Sequence, residues 1–275
     1  MPPVPLVAAA DLSWTLEPGA LLLIAVIGGL YAVRFRGVRH EPRSRRPSAW
    51  RALAAAGAVL TLVVALVSPV DALGEQLFAM HMVQHVLLLD VAPILLMLSL
   101  TKVLLRPLTR RMQRLERAAG PLAHPAFAVL AYVGIMWLWH VPALYDAANE
   151  SAVVHVVEHT CFLSVGLLYW WHLLSPIRSR ISIGPFGPVV YMLATKLLVG
   201  LLGIGLTFAP EPLYAFYEGQ ERIWGLSALD DQAVAGAIMA IEQSVVMGIA
   251  LTFLFVRALS ESDREDERAE RFGIT

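Results

Sequence analysis

Seven long apolar blocks divide this chain: residues 18–35, 50–68, 76–100, 125–141, 152–174, 188–208 and 233–257. A helix needs about 20 apolar residues to cross roughly 30 Å of hydrocarbon, so each block is long enough to span a bilayer. The pattern predicts an all-α polytopic membrane protein, a bundle of about seven transmembrane helices. The fourth block is short, but Trp137 and Trp139 at its end suit an interfacial aromatic belt. Residues Met1-Pro2-Pro3-Val4-Pro5 offer neither a basic n-region nor a small-residue cleavage site, so the first block reads as a genuine span rather than a removable leader.

The polar stretches between the blocks differ in sign. The first connection holds Arg34, Arg36, Arg39, Arg43, Arg45, Arg46 and Arg51 against Glu41. The third holds Lys102, Arg106, Arg110, Arg111, Arg114 and Arg117 against Glu116, and the short fifth holds Arg178 and Arg180. The N-terminal segment and the second and fourth connections contain no Lys or Arg, and the sixth only Arg222. Basic residues stay on the cytoplasmic side, so the odd connections are expected inside, with the N-terminus out and the C-terminus in. Residues 1–259 then form one transmembrane domain. Residues 260–275 form a charged cytoplasmic tail, expected as a solvated helix that frays, with a partner contact the alternative.

Composition agrees with this picture. Hydrophobic residues make up 57% of the chain and charged residues 16%, where a soluble domain carries roughly 25% charged. The net charge of −1 decides nothing, because the charges are segregated along the chain. A single cysteine, Cys161, excludes an internal disulfide framework and a Cys-rich metal cluster. No Gly-rich phosphate loop, extramembrane domain or low-complexity linker occurs, and no nucleic-acid partner is expected. The expected environment is the lipid bilayer of a bacterial cytoplasmic membrane.

Ionisable residues within spans are costly and mark functional sites. His81-Met82-Val83-Gln84-His85 opens the third block and His155-Val156-Val157-Glu158-His159 opens the fifth. Each is an H-x-x-[QE]-H pattern, and histidines at i and i+4 lie one turn apart on one helix face. Both blocks are entered from the same side, which puts the pairs at similar depth. His140 joins from the end of the fourth block. Imidazoles suit copper, zinc, iron or nickel, and the neighbouring thioethers of Met80, Met82 and Met239 lean toward Cu(I), although methionines in such helices are usually packing residues. Glu158 is either a ligand or the acceptor that fixes a histidine tautomer. Cys161 falls on another helix face, while His40, His124 and His172 read as loop or headgroup histidines. A second polar set lies deeper: Asp90 and Lys196 are expected at compatible depths, either as an ion pair or on a proton or ion path. Glu242, beside Gln243, falls near the midplane and needs a partner or a proton.

These residues also carry a likeness. Ser68-Pro69, the His81 to His85 motif followed by Ala92-Pro93, and Trp139-His140-Val141-Pro142-Ala143-Leu144-Tyr145-Asp146 resemble the multi-spanning CtaG family of caa-type cytochrome c oxidase assembly factors. So do His155, Glu158 and His159, then Tyr169-Trp170-Trp171, and Gly225-Leu226-Ser227-Ala228-Leu229-Asp230-Asp231-Gln232 continuing to Gly236 and Met239. The chain departs from the family pattern at Ile94, where a second proline is usual, and at Ala240-Ile241-Glu242, where a Trp-x-Pro stretch is usual. The resemblance implies a role in maturing a haem–copper oxidase, connected to copper delivery, with oxidase subunits or other assembly factors as partners. A non-enzymatic factor is expected, binding copper through His81, His85, His155 and His159, with His140 accessory and Glu158 orienting or completing the site. Asp231 and Gln232 would close the same vestibule.

Three other readings compete. A haem-carrying electron-transfer protein needs one histidine from each of two helices and leaves the i, i+4 doubling unexplained, so no haem is expected. A di-iron or zinc metalloenzyme needs more carboxylates than Glu158, or an H-E-x-x-H order that is absent. A transporter would route ions past Asp90, Lys196 and Glu242, but the halves show no repeat.

Overall fold

Prolines set where many of the helices begin. Pro lacks the N–H that the first turn of a helix cannot use, and its fixed φ suits that position. In the computed structural model, which describes residues 9–42, 46–177, 181 and 186–272, α1 (Pro18–Gly37), α3 (Pro69–Gln76), α7 (Pro125–Trp139) and α8 (Pro142–Glu150) all start at a proline. The remaining helices are α2 (Ala49–Leu66), α4 (Phe78–Val86), α5 (Ala92–Ser99), α6 (Lys102–Ala119), α9 (Ala152–Leu174), α10 (Gly187–Thr207), α11 (Ala215–Glu218) and α12 (Ala228–Phe272). No strand occurs among the described residues. The Met1–Pro5 segment, Arg43, Arg45, Arg178, Arg180 and the last three residues of the tail lie outside them.

The protein is a multi-pass membrane protein. Five helical stretches are long and apolar enough to cross a bilayer: Pro18–His40, Ala49–Gln76, Phe78–Ser99, Ala152–Leu174 and Gly187–Thr207. A sixth is formed if Lys102–Ala123 and Pro125–Trp139, bent by 66°, are taken together. The fourth apolar block of the sequence is α7, and the seventh lies within the 45-residue α12, whose backbone stays helical through the tail to Phe272. Outward faces are apolar. Leu22, Leu53, Leu130, Val153, Val156, Leu197 and Ile249 are all exposed, which water would not tolerate in such quantity but lipid does.

The inner face is polar by comparison. Phe78–Ser99 runs through the middle of the bundle, packed on α2, α3, α9 and α12. Its course is broken at Leu87–Val91 by a π turn. Pro93 cannot donate to the Leu89 carbonyl and its ring would crowd that oxygen, so the wider turn relieves the conflict. The Leu89 carbonyl is left against Gly166 of α9, where a Cβ would overlap it. A similar approach joins α10 to α12: a Cβ on Gly203 would lie 3.0 Å from the Gly236 carbonyl, and one on Gly236 2.6 Å from the Gly203 carbonyl. Small residues let the two backbones meet, which packs membrane helices without a hydrophobic drive.

Two basic residues of the first connection do structural work. Arg51 donates to the Leu98 and Leu100 carbonyls at 2.8 and 2.6 Å, and Arg34 donates to the Leu104 carbonyl. Arg51 thus caps the C-terminal end of α5, where a cation complements the helix dipole. The third connection is a helix rather than a bare loop. One side of α6 carries Arg106, Arg110, Arg114 and Arg117, while Leu104 and Leu105 are buried, an arrangement suited to a membrane surface.

Candidate metal centre

The site begins with the anchoring of α4. Leu77 provides no side-chain cap, so the first amides of this helix need an acceptor from elsewhere. Asp231, in the first turn of α12, supplies it: its carboxylate accepts from Phe78 N at 2.7 Å and Ala79 N at 2.9 Å. Gln84, within the first histidine motif, turns toward α2 and α3 and donates to the Ala65 carbonyl and to Asp71. These bonds fix the rotation of α4 and point His81 and His85 at α9.

From α9, His155, Glu158 and His159 point back. Ring centroids of His81 lie 5.5 Å from His155 and 5.9 Å from His159, and His85 lies 5.8 Å from His159. The Glu158 carboxylate approaches His81 Nε2 and His85 Nε2, both at 3.5 Å. One potential ligand atom from each of His81, His85, Glu158 and His159 falls within 4.8 Å of the others. His155 adjoins this group on its own helix, 4.1 Å from His159 between ring centroids, without belonging to the tightest set. The two motifs therefore contribute unequally: Glu158 enters the centre and Gln84 does not.

The surroundings are aromatic, and His81, His85 and Glu158 are buried while His155 and His159 are half-buried. Phe78, Tyr145, Tyr214 and Tyr217 pack into one group above the rings, with Tyr145 5.2 Å from His81. Tyr217 donates to the Gly74 carbonyl at 2.7 Å and Tyr214 to the His140 carbonyl at 3.2 Å. Gln232 accepts from Leu213 N at 2.7 Å, holding the sixth connection that carries these tyrosines. Asp231 and Gln232 thus act on the site through the backbone. Asn149, which donates to the Tyr145 carbonyl and accepts from Tyr217, is a contributor that spacing alone did not single out.

His140 stands at the edge. Its Nδ1 bonds the Met136 carbonyl at 2.7 Å, and its Nε2 faces Met82 Sδ at 3.4 Å. It lies 6.3 Å from His85, close but outside the tightest set. Cys161 is a free, half-buried thiol packed against the core. His124 has a local role, capping α7 through Ala126 N.

The deeper polar set differs from the sequence expectation. Asp90, fully buried, accepts from Tyr132 at 2.7 Å and Trp170 at 2.8 Å. It forms no ion pair with Lys196 among the described residues; the donors that reach it are neutral groups on α7 and α9. Its neighbour is Glu242, which lines the same narrow cavity.

Comparison with known proteins places the chain. The family model described as cytochrome c oxidase caa3 assembly factor (Caa3_CtaG) matches residues 29–261. The chain belongs to this family. Similar curated proteins are an uncharacterized protein of Mycobacterium bovis and one of Mycobacterium tuberculosis, each 26% identical over 300 residues. Each match covers 98% of this chain and 43% of the relative. An uncharacterized protein of Mycobacterium leprae is 27% identical over 251 residues, covering 76% of this chain and 34% of its own length. The chain thus spans less than half of the curated relatives it matches, and no solved structure matches it. As a Caa3_CtaG member, the chain carries its histidine motifs, its Asp231 anchor and its α10–α12 contact all inside the matched region.

Proposed function

We propose that this protein is a non-enzymatic assembly factor of a bacterial cytochrome c oxidase, which holds copper at the histidine centre for the maturing enzyme. One observation carries the reading. Buried polar atoms without a hydrogen-bond partner include His81 Nε2, both ring nitrogens of His85, Nε2 of His155 and His159, and both Glu158 oxygens. Each such atom costs about 1–3 kcal/mol when left unsatisfied, and although His81 Nε2 and His85 Nε2 lie 3.5 Å from the Glu158 oxygens, none of the seven atoms of this cluster makes a hydrogen bond. A cation among them satisfies several at once.

The donor set is imidazole with one carboxylate, which fits copper, zinc, iron or nickel. Copper is the cargo consistent with the family and with the thioether at His140. Rings from the two helices lie 5.5–5.9 Å apart between centroids, a gap that favours an ion over a porphyrin. Glu158 offsets charge, while Asn149 and the tyrosines fix the rings and keep out water. The oriented chain, with its N-terminus outside, would present this centre to the outer face of the bacterial cytoplasmic membrane. Oxidase subunits or other assembly factors are the proposed partners.

Deleting the gene should lower assembled, copper-loaded oxidase while its subunits remain transcribed. His81→Ala or His159→Ala should reproduce the deletion with the protein still in the membrane, since loss of a buried polar group in favour of an apolar one need not unfold the bundle. Normal oxidase activity of these variants under limiting copper would end the metal reading.

A further inference from the structure

Beneath the histidine centre a narrow cavity continues toward the bundle interior. Three methionines from three helices are among its lining residues: Met82 of α4, Met136 of α7 and Met239 of α12. All three are buried, and they belong to one packed cluster. His85 lies at its upper end, and Asp90, Glu242 and Gln243 close the lower one. The cavity therefore joins the histidine centre to the carboxyl pair.

Two features bear on what this cavity could hold. The first is the contact between Met82 and His140. Because the Met136 carbonyl can only accept, the neutral His140 ring places its proton on Nδ1 and its lone pair on Nε2. That lone pair faces Met82 Sδ at 3.4 Å, and sulfur is itself only an acceptor. With ligand bonds of about 2.0 Å to nitrogen and 2.3 Å to sulfur, the lengths found at zinc, this separation subtends about 104° at a shared ion, near the tetrahedral value.

The second feature is uncompensated negative capacity. Asp90 and Glu242 both line the lower end of the cavity, and ionised carboxylate oxygens only accept, so the pair offers acceptors to a cation. Gln243 donates to Glu242 Oε2 at 2.7 Å, yet Glu242 Oε1 and Gln243 Oε1 receive no N–H or O–H donor. Their residues are 7% and 3% exposed, so water does not reach these oxygens freely. Three thioethers, an imidazole lone pair and a carboxyl pair together suit a soft monovalent cation: sulfur selects cuprous copper, and the carboxyls supply countercharge that thioethers lack.

We propose that this cavity is a second copper site, specific for Cu(I), with Met82, Met136 and Met239 as sulfur ligands, His140, which meets Met82 Sδ from beside the cavity, as nitrogen ligand, and the Asp90–Glu242 pair as counter-charge. It extends the copper reading of the histidine centre and rests on it for the identity of the metal. A cuprous ion would pass between the sites by ligand exchange, through His85 and Met82, with no change of oxidation state.

The test uses full-length protein purified in detergent, titrated anaerobically with Cu(I) against a colorimetric Cu(I) chelator and followed by X-ray absorption. Wild type should bind two Cu(I) per chain, with both sulfur and nitrogen scatterers. Met82→Leu/Met239→Leu, a volume-conserving change, should bind one, and the sulfur scatterers should vanish. His81→Ala/His159→Ala should also bind one, with sulfur retained. Glu242→Gln, nearly isosteric, should weaken the sulfur-bound ion at least tenfold and leave the other unchanged. Two ions bound by Met82→Leu/Met239→Leu, or wild type without sulfur scatterers, would overturn the second site. Copper binding unaltered by His81→Ala/His159→Ala would instead overturn the histidine centre, so the two failures are told apart.

Discussion

Replacing Asp231 with alanine should damage the histidine centre from a distance, because α4 depends on that carboxylate for its first turn. Asp231 accepts from both Phe78 N and Ala79 N in a fully buried position, and the residue before them offers no cap of its own. Hydrogen bonds to a charged group contribute about 1.5–3 kcal/mol each, and loss of an ordinary N-cap costs about 0.5–2 kcal/mol. Allowing for water filling part of the gap, Asp231→Ala should destabilise the protein by about 2–4 kcal/mol. Asp231→Asn keeps one acceptor oxygen but turns an amide N–H₂ toward the other backbone donor. It should therefore lose half of that or somewhat more. His81 lies two residues beyond Ala79, so slackening of this turn should also weaken copper binding. Unfolding in mixed micelles and Cu(I) competition would measure both effects on the same preparations. If Asp231→Ala unfolds like wild type within about 0.5 kcal/mol and binds copper equally well, the anchoring argument is wrong.

Gly166→Ala should reduce folded protein sharply, since its methyl group meets the backbone of Leu89. Gly134→Ala, which meets nothing within 4 Å, should be tolerated; equal yields of the two by size-exclusion profile would contradict the close approach. Lys196→Met should leave protein levels unchanged, because Asp90 is held by Tyr132 and Trp170; a marked fall in membrane-extracted protein would restore the ion pair. Cysteines placed at residues 40, 106–117 or after Ser260 should label only from the cytoplasm, and those at 71–75 or 146–150 only from outside. Reversed labelling would overturn the proposed orientation.

The sequence allowed some parts of this account and hid others for physical reasons. Histidines at i and i+4 share a helix face whatever surrounds them, so the grouping within each motif could be read directly. The rotation of one helix against another could not, which is why Gln84 and Glu158, equivalent by position, face different neighbours. Asp90 shows the same limit. Charge complementarity suggested Lys196, but the donors that reach it are Tyr132 and Trp170, neutral residues that carry no charge signal. Asp231 was visible as part of a motif, yet its role as a cap for a helix more than 150 residues earlier in the chain depends on tertiary packing. The amphipathic α6 was hidden by its own basic residues, whose topological signal masked the helical period.

The proposed function turns on His81, His85, Glu158 and His159 holding one copper ion. The most direct measurement is metal analysis of purified wild-type protein, loaded with copper and freed of excess, beside His81→Ala/His159→Ala prepared in parallel. Wild type should retain one more copper per chain than the double variant, with both proteins equally folded by far-UV circular dichroism. Equal copper in the two folded proteins would contradict the account and return the histidines to the role of packing residues.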